Sequence, residues 1–152
     1  KYKDCMVLYY TGITRVAKDL LGQIVKGMFL NDAHDSLVLR EMKHHAFETA
    51  EIIQRNDFQE FGKAINRTWQ LKNRLDSDTN NPEIQRIIDL IDDYALGNIL
   101  PGAGGGGYLF IVGKDREATN IIRARLEQNK SSANARVVGM EISRTGFQLS
   151  RN

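Results

Sequence analysis

The stretch Leu100-Pro101-Gly102-Ala103-Gly104-Gly105-Gly106-Gly107-Tyr108 runs straight into the apolar segment Leu109-Phe110-Ile111-Val112-Gly113. Five of the 13 glycines of the chain fall within six residues here. Each glycine makes ordering of the backbone more costly, so a folded loop that keeps five of them needs positive φ values or the close approach of another group. Tyr108 to Val112 reads as a buried strand, and function concentrates on loops held by such rigid elements. Two readings follow: a binding loop anchored to the core, or a purely structural turn. Gly102, Gly104 and Gly107 satisfy G-x-G-x-x-G, but that dinucleotide pattern needs a strand before the glycines and a helix after them. Here a strand follows. No Lys-Ser or Lys-Thr closes the glycines, so a Walker loop is excluded as well.

A core strand of this kind needs partners, and the rest of the chain supplies them. Cys5 to Tyr10 is a short apolar run, read as a buried strand that ends at Thr11-Gly12. Thr14 is a plausible N-cap for a first helix from Arg15, with Val16, Leu20, Ile24 and Met28 inward and Leu21 and Val25 on the flank. A second helix is predicted from Asp35 or Ser36 to Arg55, facing inward with Leu39, Met42, Ala46, Ala50 and Ile53. Asp57 and Glu60 form a capping-box-like start to a third, with Phe58, Phe61, Ile65, Trp69 and Leu75 inside. Asn81-Pro82 opens a fourth, carrying Ile84, Ile87, Ile88 and Ile91 and stopping near Ala95, with Gly97 available as a left-handed cap.

Asn98 to Leu100 is expected to pair with Tyr108 to Val112 around the glycine loop. Asp115 caps a fifth helix to about Gln128, inward through Ala118, Ile122 and Leu126. Arg136 to Ser143 alternates as a half-buried strand, and Phe147 to Ser150 forms a last short one. The order of elements predicts one α+β domain over residues 1–152, a mostly antiparallel sheet covered by helices.

Composition limits function only by exclusion. Charged residues make up 26% and apolar ones 41% of the chain, ordinary globular values. A net charge of +2 and the lack of a basic run interleaved with aromatics give no argument for nucleic acid or a membrane surface. A single cysteine, Cys5, rules out an internal disulfide framework and fits a reducing, cytoplasmic compartment. No signal peptide and no membrane-spanning apolar run is present. The chain opens at Lys1 and enters a strand almost at once, so a piece of a longer protein is expected. His34, His44 and His45 show no metal spacing.

The glycine stretch resembles the third signature motif of the GHMP small-molecule kinases, the superfamily of galactokinase, homoserine kinase and mevalonate kinase. Leu8-Tyr9-Tyr10-Thr11-Gly12-Ile13-Thr14-Arg15 is similar to the opening of that family's second domain in its sugar-kinase branch. The spacing between the two motifs and the tail Gly146 to Arg151 extend the likeness over essentially the whole chain. Within the branch it is most similar to the fucokinases, with the D-glycero-D-manno-heptose 7-phosphate kinases as nearest competitor.

The resemblance implies a ferredoxin-like C-terminal kinase domain. Its partner is an N-terminal GHMP kinase domain of the same chain, which binds most of the ATP and Mg2+ and usually carries the aspartate base. The sugar substrate lies in the cleft between them. The family's Ser-Ser-rich phosphate loop is missing here, so no catalytic residue is assigned and the isolated chain is expected to be inactive. The resemblance assigns the phosphate-loop and cleft role to Gly102, Ala103, Gly104, Gly105, Gly106 and Gly107.

Thr11, Gly12 and Arg15 are candidates for substrate contact. Arg15 reads equally as a helix-surface partner of Asp19. Asp78, in the polar Asp76 to Asn81 loop, either borders the sugar or belongs to helix-capping chemistry. A reading from a different class stands beside the kinase: a free-standing ligand-binding or dimerising α+β module.

Overall fold

The first strand, β1 (Met6–Tyr10), lies inside a four-stranded sheet and takes both of its partners from far along the chain. The structure, a computed structural model, describes residues 2–14, 25, 29, 33–76, 79–102 and 105–143. β1 pairs antiparallel with β3 (Tyr108–Gly113), Met6 opposite Val112 and Tyr10 opposite Tyr108. On its other side it pairs antiparallel with β4 (Arg136–Val138). β2 (Ala95–Ile99) pairs antiparallel with β3, giving the order β2-β3-β1-β4.

Side chains alternate across a strand, so one face of this sheet is apolar and covered. Val7, Tyr9, Leu109 and Ile111 fill it, all fully buried. Against them pack Trp69 of one helix, Ile84, Ile87 and Ile88 of another, and Ile122 and Leu126 of a third.

These helices begin where their caps say. α1 (Ala33–Gln54) is followed by α2 (Phe58–Leu75), where the Asp57 carboxylate accepts from the Glu60 N–H at 3.1 Å. Phe58 and Trp69 are buried there, while Phe61, Ile65 and Leu75 are half-buried. α3 (Pro82–Asp89) starts at Asn81, whose Oδ1 accepts from the Ile84 N–H at 3.0 Å. α4 (Arg116–Gln128) starts at Asp115, whose Oδ1 accepts from the Ala118 N–H at 2.8 Å. Its Arg123 donates to the Met6 carbonyl, and its Arg125 lies 4.6 Å over the Tyr94 ring. Both contacts seat α4 against the sheet.

Five expectations change. The fourth predicted helix stops at Asp89, and Ala95 to Ile99 is a strand reached through a 3-10 turn, Asp92–Tyr94. Gly97 is therefore no helix cap. It lies within β2, where a Cβ would collide with the Gly62 carbonyl oxygen of α2. The inward face of α1 is partly rotated from the expected one: Val38 and His45 are buried and the expected Leu39 and Met42 half-buried, whereas Ala46, Ala50 and Ile53 are exposed. A hydrophobic pattern cannot anticipate this, because His45 earns its place by polar contacts. Its Nε2–H donates to the Ala64 carbonyl at 2.9 Å, beside Thr68 Oγ1 at 3.1 Å.

β4 ends at Val138, not Ser143. Its partner β1 begins only at Met6, after a 3-10 turn at Lys3–Cys5, so a longer ladder would soon run out of partner. Cys5 closes that turn half-buried, outside the strand to which it was assigned. The predicted first helix lies outside the described residues apart from Val25 and Phe29, which are helical and exposed, and the last predicted strand lies outside them entirely. Among the described residues no helix is long and apolar enough to cross a membrane.

Candidate functional site

The glycine stretch joins β2 to β3, and its described part is held from three sides. On the first side, the Gly105 N–H donates to the Thr79 carbonyl at 2.9 Å, and the Gly105 carbonyl accepts from Asn81 Nδ2 at 2.9 Å. Asn81 thus serves two purposes, starting α3 and tying down the loop. On the second side, the Gly107 N–H donates to the Ile13 carbonyl at 2.9 Å. The Gly107 carbonyl accepts from Thr11 twice, from the N–H at 2.8 Å and from the hydroxyl at 2.9 Å.

Gly102, Gly105 and Gly107 have φ of 79°, 73° and 84°, a region that side-chain-bearing residues rarely adopt. Gly106 is required for the other reason. A Cβ there would stand 2.5 Å from the Ile13 carbonyl oxygen.

The third side is Lys72, half-buried on α2. Its Nζ donates to the Leu100 carbonyl at 2.5 Å and to the Gly102 carbonyl at 2.8 Å. Burial pushes its pKa below the ordinary lysine value, and among the described residues no ion pair compensates its charge. Close by, the buried Asp76 carbonyl accepts from the Thr79 N–H at 3.1 Å, fixing the turn that carries Thr79 to the loop.

Of the residues singled out in the sequence, Thr11 meets Gly107, with Gly12 next to it in the chain. Thr11 is fully buried, and its hydroxyl also accepts from the Ile13 N–H at 3.2 Å. Gly12, at φ 72°, packs so closely on Ser132 that a Cβ would collide with its hydroxyl. Thr11 stands behind the loop as its support, and Gly12 packs on the turn at Ser132. Arg15, Asp78, Ala103 and Gly104 lie outside the described residues.

Lys72 carries no signal in the sequence, since a lysine in the last turns of a helix reads as a solvated residue. Behind Thr11, the Ser131 hydroxyl donates to the Thr11 carbonyl at 2.9 Å. That bond spans 120 residues and leaves no local pattern.

The loop amides divide into two sets. Gly105 and Gly107 use their N–H groups inward, whereas those of Gly102 and Gly106 have no partner among the described residues. Gly102 is exposed and Gly106 half-buried. A glycine turn with amides left over, next to an uncompensated ammonium, is suited to an anion. A cavity of about 880 Å3 elsewhere, between Tyr2, Phe58, Phe61, Phe110 and Met140, contains none of these residues.

The same architecture occurs in known proteins. A family model described as GHMP kinases C terminal matches residues 49–131. The chain is 53% identical to an L-fucokinase/L-fucose-1-P guanylyltransferase of Bacteroides fragilis over 100% of its own length, but spans only 16% of that protein. It is 34% identical to a D-glycero-alpha-D-manno-heptose 7-phosphate kinase of Campylobacter jejuni, over 80% of this chain and 36% of that one. Among solved structures, the mevalonate kinase of L. major in complex with R-mevalonate superposes with a TM-score of 0.74 at 22% identity, covering 85% of this chain and 39% of that one. That likeness concerns the fold. With the family match extending over more than half of its residues, the chain belongs to the GHMP kinases as a C-terminal domain.

Proposed function

We propose that this chain is the C-terminal part of an ATP-dependent sugar kinase of the fucokinase branch, acting in the cytoplasm on L-fucose to give fucose 1-phosphate. The observation that carries the reading is the built glycine loop, with unspent amides at Gly102 and Gly106 and the Lys72 ammonium on the Gly102 carbonyl. Phosphoryl transfer depends on positioning and on neutralising charge, which such a loop supplies without any side-chain chemistry. The identity of 53% to the Bacteroides protein supports fucose as acceptor, and 34% to the heptose phosphate kinase makes that sugar the alternative.

The share of the Bacteroides relative that is matched, 16%, supports a parent chain with an N-terminal kinase domain that completes the cleft. The described residues fit the nucleotide's phosphates better than its metal. In this proposal Mg2+ is bound mainly by the N-terminal domain. Thr11 acts by holding the loop, with Gly12 next to it, and Arg15 and Asp78 are the candidates nearer the sugar.

The test is ADP release by the full-length protein with ATP and Mg2+, against L-fucose and D-glycero-D-manno-heptose 7-phosphate, with the 152-residue chain as control. Turnover on fucose by the full-length protein alone is the expected result. Turnover on the heptose alone moves the acceptor, and activity of the isolated chain sinks the half-site reading. A full-length protein that binds neither ATP nor sugar favours the non-catalytic module.

A further inference from the structure

Lys72 does something that a helix-surface lysine ordinarily does not. Its side chain crosses from α2 to the start of the glycine loop and takes up two carbonyl oxygens, those of Leu100 and Gly102, that lie 28 and 30 residues away in sequence. A carbonyl oxygen carries partial negative charge, so two of them left at the mouth of the loop would repel a phosphate. The ammonium covers both and leaves its own positive charge in their place. None of the ion pairs among the described residues involves it. An ammonium has three N–H donors, and two are accounted for. Beside it the exposed Gly102 has an unspent N–H, and nothing lies within 4 Å of where its Cβ would stand.

We infer that Lys72 is a positioning residue for the nucleotide: it sets the start of the glycine loop and presents its remaining N–H and its charge to an ATP phosphate oxygen. The inference rests on the kinase reading above. No bond is made or broken at Lys72. Its contribution is a fixed positive charge and a fixed loop conformation, both in place before the phosphate arrives.

The experiment measures kcat and KM for ATP, with thermal midpoints, for the full-length protein and its Lys72→Met, Lys72→Gln and Lys72→Arg variants. Methionine keeps the volume and removes both charge and donors. Glutamine keeps a donor for the loop carbonyls without the charge, and arginine keeps the charge.

The expected result is a drop of about 100-fold or more in kcat/KM for ATP in the methionine and glutamine variants, the scale on which loss of one preorganised donor acts. Arginine should recover a substantial part, with KM for the sugar unchanged throughout. If the methionine variant does not fold, the glutamine and arginine pair decides. Wild-type kcat/KM for ATP in the uncharged variants overturns the inference, as does a loss that follows the folded fraction and is no smaller with arginine. Wild-type protein that binds neither ATP nor sugar overturns the kinase reading, and the inference with it. An active wild type with indifferent variants overturns the inference alone.

Discussion

At Gly106 the nearest atom to an added Cβ is a backbone oxygen, that of Ile13 at 2.5 Å, which cannot swing aside like the end of a flexible side chain. Gly106→Ala is therefore expected to lower stability by about 1–3 kcal/mol, read from urea denaturation, and to lower turnover with it. Gly102 is the contrasting case. Space around it is open, and only its φ of 79° resists a side chain, at a cost of about 1–2 kcal/mol. If its free amide meets a phosphate, Gly102→Ala should reduce kcat in the full-length protein by more than its stability loss explains. Equal losses at both positions would mark the loop as a structural turn. Asn81 separates cap from clamp in the same way. Asn81→Ala gives up both the α3 start and the bond to Gly105, and is expected to cost about 2 kcal/mol. Asn81→Asp restores the helix start but sets a carboxylate against the Gly105 carbonyl, so the midpoint should recover only in part.

Helix α2 and strand β2 meet through Gly62 and Gly97: a Cβ at Gly62 would strike the Leu96 side chain, and one at Gly97 the Gly62 carbonyl oxygen. Gly97→Ala would push a methyl group into the Gly62 carbonyl oxygen, a loss of about 3 kcal/mol or more by chemical denaturation. The α1–α2 pair is held at its surface by charge. Arg74 donates to Glu41 at 2.7 Å and, with Arg67, holds the Glu41 carboxyl below the ordinary value of 4.5. A depressed carboxylate stabilises the fold at pH above the unfolded value, and the benefit disappears as pH falls through the folded one. The thermal midpoint of Glu41→Gln should then lie below wild type near neutrality and converge on it in acid.

These elements also show what a sequence makes visible. Asp57, Asn81 and Asp115 each cap the helix that their position announces, because capping is local chemistry between residues three apart. The partly rotated face of α1 and the role of Gly97 were hidden, since both depend on what another element places opposite. The glycine loop on its core strand was legible, along with the turn at Thr11 and Gly12. Lys72 was not, because its bonds reach 28 and 30 residues along the chain.

For the molecule as a whole, the position of β1 matters most. It is the earliest strand in the chain, yet it lies between β3 and β4, and the bond from Thr11 to Gly107 closes a span of 96 residues. Helices that form from local contacts can wait for it, but the sheet cannot be assembled in the order it is written. On a ribosome adding roughly 5–20 residues per second, β1 emerges several seconds before either partner strand exists, with both edges bare. An apolar strand in that state is open to pairing with other chains. Synthesis of this domain therefore has a built-in interval of vulnerability. Slowing translation downstream of α1 should increase aggregation and chaperone occupancy of the nascent chain, while slowing it upstream of β1 should not.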